Sequence, residues 1–93
     1  MKEQRQIVTT DFGQMHARVQ GEGGVPLVLL HLSPRSSQMW TQLQPALRRR
    51  TVALDRLGYG FSDAPPRALT MVEYAQAAMQ ALDALDVGER FDV

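Results

Sequence analysis

The run "LVLLHL" that begins at Leu27 sets the tightest limit on what this chain can fold into. It shows no alternation of polar and apolar residues, so a strand made from it has no face to give to water. Strands of that kind belong to parallel sheets covered by helices on both sides. The preceding "GEGGVP" reads as a loop, and its proline suits the first position of a strand. The G-x-G within it is no nucleotide fingerprint, because those glycines must follow a strand and open a helix.

The flanking segments agree with that sheet. "QIVTTDFG" and "QMHARVQ" form a hairpin, with Asp11, Phe12 and Gly13 at the turn. In its second arm Met15, Ala17 and Val19 alternate with His16, Arg18 and Gln20. The alternation predicts one buried face and sets His16 on the solvent side, as an exposed residue and not a ligand. Ser36 or Ser37 caps a helix through "SQMWTQLQPAL", with Met39, Trp40, Leu43 and Leu47 on its packed side and Pro45 kinking or splitting it. "TVALD" is the next strand, and "RLGYGFSDAPPRAL" is a loop. The clearest helix is "TMVEYAQAAMQALDALDVG". Thr70 and Glu73 give it a capping box. Tyr74, Ala78, Leu82 and Leu85 follow the helical period, Met71, Ala75 and Met79 pack beside them in the core, and Gly88 supplies the stop. "RFDV" starts a further strand.

The expected class is therefore α/β: an N-terminal hairpin followed by strand-helix-strand-helix-strand parallel units. Ligands of such sheets collect at the carboxyl ends of the strands, which points to residues 31–37 and 55–66. At 93 residues the chain makes at most one domain, and ten Lys and Arg balance ten Asp and Glu. That balance predicts neither a nucleic-acid nor a membrane partner, and "RRR" (residues 48–50) reads as a solvated helix end. With no cysteine, a disulfide framework, a thiolate nucleophile and a Cys-based zinc site are excluded. The expectation is no cofactor and no metal. The N-terminal "MKEQRQIVTT" lacks the apolar core of a secretory signal, and the expected location is cytoplasmic.

"PLVLLHLSPRSSQMW" followed by "TVALDRLGYGFSDAPP" resembles the N-terminal third of an α/β-hydrolase-fold enzyme. Members carry H-G-x-P after the third strand and D-x-x-G-x-G-x-S-D after the fourth. The second motif is complete here, from Asp55 through Gly58, Gly60 and Ser62 to Asp63; the first reads His31-Leu32-Ser33-Pro34, with leucine in the place of the usual glycine. The resemblance implies a partial α/β-hydrolase sheet spanning residues 1–93. It implies an enzyme that cleaves a small-molecule ester, epoxide or related bond by nucleophilic catalysis. By the same resemblance the backbone N–H of Ser33 is an oxyanion donor, Pro34 fixes the course of the loop, and His31 braces it without serving as the base.

Ser62 follows both glycines, so it is a turn residue and not the serine of a nucleophile elbow. Asp55 ends a strand and braces the loop. The resemblance places nucleophile, acid and base all downstream of Val93, so the chain is expected to be an incomplete piece, inactive alone and inclined to self-associate through an exposed sheet edge. A non-catalytic α/β binding module is the alternative. A mononucleotide-binding unit is disfavoured by the missing glycine-rich strand-to-helix loop.

Overall fold

The computed structural model describes residues 3–21, 23–32, 35–87 and 91–93. Strands β1 (Gln4–Thr10) and β2 (Gly13–Gln20) form the hairpin. Thr10 Oγ1 closes its turn, accepting from Phe12 N–H and donating to the Gly13 carbonyl. Strand β3 (Leu27–Leu30) leads through a 3-10 turn (Ser37–Trp40) and the short helix α1 (Leu43–Ala46) to β4 (Thr51–Leu54). Helix α2 (Met71–Ala84) follows. Pro45 falls inside the first turn of α1, where a missing N–H costs nothing, and the expected single helix is split ahead of it.

The sheet order is β1-β2-β4-β3, with β4 antiparallel to β2 and parallel to β3. On the far edge of β3, Asp92 forms a parallel bridge with Leu27, where "RFDV" was expected to start a strand. All four residues of β4 are buried. One face of the sheet carries Met15, Ala17, Val28, Val52 and Leu54 against Ala77, Ala81, Leu82 and Leu85 of the α2 segment. The other face is covered by the 3-10 turn and α1, and its contacts are polar. Gln44 is fully buried, donating from Nε2 to the Arg18 carbonyl and to Thr51 Oγ1. Arg18 Nε donates to the buried Ser37 Oγ.

Three expectations are corrected here. The packed side of the 37–47 segment is Ser37 and Gln44, not its apolar residues: Leu43 is exposed and Trp40 only half-buried. Met71 and Met79 lie exposed, because the buried face of α2 turns toward Ala77 and Ala81. The arginine run is not simply solvated: Arg49 donates to the Val25 carbonyl and pairs with Asp92 at 2.9 Å, and Arg50 reaches the Asp86 carbonyl.

The capping box of α2 forms as expected, with Thr70 Oγ1 accepting from Glu73 N–H and Glu73 accepting from Thr70 N–H. Arg67 also pairs with Glu73; its guanidinium first, then the Thr70 N–H, hold that carboxyl at about 2. The helix stops before Gly88, which lies outside the described residues. Asp86 takes the left-handed position instead (φ 58°), with Asp86 N–H on the Asp83 carbonyl and Val87 N–H on the Leu82 carbonyl. This is a Schellman closure, and its apolar contact is supplied by the buried Leu82 and Val87. A left-handed aspartate is strained relative to glycine. Asp86→Gly should therefore raise stability by about 0.5–1 kcal/mol, after allowance for the more flexible unfolded chain. An unchanged or lowered thermal midpoint would contradict this account of the helix end.

Candidate functional site

The chain passes from β3 to β4 in one direction, then returns past β3 to bridge Leu27 with Asp92. A reversal of this kind leaves a crevice at the carboxyl ends of the strands around it. Two loops border that crevice: residues 31–37 from β3 and residues 55–66 from β4.

His31 joins them. Its side chain is buried, its Nε2 accepts from the Arg56 N–H at 3.0 Å, and its Nδ1 lies 3.0 Å from the Leu32 carbonyl. A nitrogen that accepts from a backbone N–H carries no proton, so the proton sits on Nδ1 and donates to Leu32. The ring also meets Tyr59 edge-on at 5.4 Å. Ser33 and Pro34 lie outside the described residues. Leu32 is exposed, and its carbonyl accepts from Arg35 N–H at 2.6 Å.

Asp55 is the centre of the second loop. It is fully buried, and its Oδ1 accepts from Ser37 N–H at 2.6 Å. Its Oδ2 accepts from Phe61 N–H at 3.0 Å and from His16 Nδ1 at 2.8 Å. Burial pushes this carboxyl upward, but the hydrogen bonds from Phe61, Ser37 and His16 outweigh burial and hold it below its ordinary value. Asp55 thus bonds residues of both loops, which is the bracing role read from its place at a strand end. The rest of the D-x-x-G-x-G-x-S-D segment builds the same knot. Ser62 Oγ donates to the Asp55 carbonyl at 2.6 Å and accepts from His16 N–H at 2.9 Å. Asp63 exchanges backbone and side-chain bonds with Gln14, at 2.8 Å each. Gly60 has φ +54°, and a Cβ on it would stand 2.3 Å from Asp55 Oδ2. No side chain fits there.

His16 is the residue that sequence reasoning missed. It was expected on a solvent face, but it is 3 % exposed and bonded to Asp55. Strict alternation gave no signal for this, because β2 is covered on both faces and its polar side meets other protein groups. Among the described residues no cluster of His, Cys, Asp or Glu could hold a metal ion.

Two concavities adjoin the loops. A shallow polar one of about 430 Å³ is lined by Arg35, Ser36, Gln38, Met39 and Gly60. An apolar groove of about 200 Å³ runs between Leu30, Leu54 and Leu57 on one side and Met71, Tyr74 and Ala78 on the other, with Arg56 at its rim. No helix among the described residues is long and apolar enough to cross a membrane.

Comparison with known proteins places this arrangement. The family model described as alpha/beta hydrolase fold matches residues 25–90. The haloalkane dehalogenase of Agrobacterium fabrum is 33 % identical over 78 residues, which cover 82 % of this chain and 26 % of the relative. A dihydrolipoyllysine-residue acetyltransferase component of an acetoin cleaving system from Pseudomonas putida is 37 % identical over 71 residues, covering 74 % of this chain and 19 % of the relative. The crystal structure of naproxen esterase from Bacillus subtilis superposes with a TM-score of 0.82 at 31 % identity, over 91 % of this chain and 31 % of the esterase. The chain thus spans between about a fifth and a third of the proteins it matches.

Proposed function

This chain belongs to the α/β-hydrolase fold family, and from that premise we propose that it supplies the oxyanion-loop part of a hydrolase cleaving a small-molecule ester, epoxide or related bond. The observation that carries the reading is the junction of the two loops: His31 bonded to the Arg56 N–H, and Asp55 bonded to the Ser37 and Phe61 N–H groups. Hydrolysis of this kind builds negative charge on an oxygen or a leaving group. Donors held rigid before the reaction stabilise that charge without reorganising. A loop whose ends are fixed by buried hydrogen bonds meets that requirement. The likeness to an esterase and to a dehalogenase supports the bond class. In this reading Ser33 N–H is the donor on the loop, Pro34 directs the backbone, and His31 braces it. In this reading no residue of the two loops is assigned as nucleophile, acid or base.

The test is a chimera in which residues 1–93 replace the matching segment of the Bacillus subtilis naproxen esterase. The chimera should fold and hydrolyse its ester. Ser33→Pro within it removes the N–H and should lower kcat by about 10²–10³-fold, whereas Ser33→Ala keeps the N–H and should retain most activity. A folded chimera with no turnover, or equal losses from both substitutions, would end the proposal.

A further inference from the structure

We infer that His16 is a positioning residue for the 31–37 loop, acting through the carboxylate of Asp55. The donors to that carboxylate fall into two groups. Ser37 N–H and Phe61 N–H belong to the two loops that Asp55 holds, so they are what is being placed. The donor that comes from the sheet is His16 Nδ1, at 2.8 Å. His16 itself is fixed on β2 at both backbone groups: its N–H donates to Ser62 Oγ, and its carbonyl accepts from Asp55 N–H at 2.8 Å. The imidazole therefore carries the rigid register of the sheet to Oδ2, and Asp55 carries it on to Ser37.

The cost of keeping a histidine here points the same way. Its Nε2 is buried and has no hydrogen-bond partner among the described residues, and the ring packs edge-on against Phe61 at 5.3 Å. An unpaired buried nitrogen is unfavourable, and an apolar side chain of similar size would avoid it. The Nδ1 bond to Asp55 is what the imidazole provides that such a side chain cannot. An ionised carboxylate only accepts, so it fixes the ring as the Nδ1–H tautomer. The catalytic meaning of this placement rests on the reading of residues 31–37 as the oxyanion loop; the placement itself does not.

The test is hydrogen–deuterium exchange read by mass spectrometry on the full chain, comparing His16→Phe with His16→Asn. Phenylalanine fills the space without a donor, and the Asn Nδ2 can still donate to Asp55. His16→Phe should speed exchange in peptides covering residues 35–40 and 57–63 by at least about tenfold, the loss expected for one charge-assisted hydrogen bond, with a much smaller change in residues 71–84. His16→Asn should recover most of the protection. Equal acceleration in the loops and in α2, or no recovery with asparagine, would overturn the inference. Should His16→Phe fail to fold, ¹⁵N spectroscopy of histidine-labelled parent protein decides: a proton on Nδ1 alone at neutral pH supports it, and a proton on Nε2 alone overturns it. None of these readouts needs turnover. An inactive chimera with intact loop protection would remove the hydrolase reading and leave the positioning role standing.

Discussion

Gly60→Ala should lower the stability of the 93-residue chain by about 3–5 kcal/mol, the scale of disrupting a buried, hydrogen-bonded charge. Two effects contribute. The left-handed backbone at φ +54° costs an alanine about 1 kcal/mol. The new methyl would sit 2.3–2.6 Å from the carboxylate atoms of Asp55, which cannot retreat without dropping its bonds to Ser37, Phe61 and His16. Gly23→Ala separates the two, because Gly23 also has positive φ (+71°) but nothing within 4 Å of its Cβ position. At the scale of about 4–8 °C per kcal/mol for a domain of this size, Gly60→Ala should drop the thermal midpoint by more than 10 °C and Gly23→Ala by only a few degrees. Equal drops would show that the crowding of Asp55 contributes nothing.

Made alone, the 93-residue chain should self-associate. Beyond Val28, the outer edge of β3 meets no other strand among the described residues. Leu30 beside it is 44 % exposed, and Met71 and Val72 on α2 are 81 % and 66 % exposed. An open edge flanked by apolar side chains is a template for another strand, and a domain this small has little stability to set against it. Light scattering after size exclusion should give a mass well above 10.4 kDa. Leu30→Lys with Met71→Lys should shift it toward the monomer. A monomer with a sharp thermal transition in the unsubstituted chain would refute this expectation.

The elements that sequence pattern identifies well are those whose signals are local. Thr70 and Glu73 lie three residues apart and cap α2 as the spacing requires. The Asp11–Phe12 turn joins two alternating strands. Asp55 at a strand end followed by spaced glycines announces a tight loop around a carboxylate. What the pattern does not carry is the identity of the partner across a layer. His16 and Arg18 are polar, so they read as solvent-facing, yet both are buried, because Asp55 at the end of β4 and Ser37 of the covering 3-10 turn meet them; Gln44 of α1 is buried in the same way on Thr51 of β4. In the same way Arg49 gains its role from Asp92, forty-three positions away in the chain. The end of α2 is hidden for a different reason: sequence pattern points to a glycine for the left-handed position, and an aspartate fills it.

The strand order β1-β2-β4-β3 has a consequence for synthesis. As the nascent chain leaves the ribosome, β2 and β3 are both complete before the residues that must separate them appear. Thr51–Leu54 has to slot between two earlier strands, pairing antiparallel with Ala17–Gln20 and parallel with Leu27–Leu30 at once. Until then, β2 and β3 each show an unpaired margin and are separated by only six residues of sequence, so the nearest wrong partner for each is the other. Their direct pairing would have to be undone before translation could yield the native sheet.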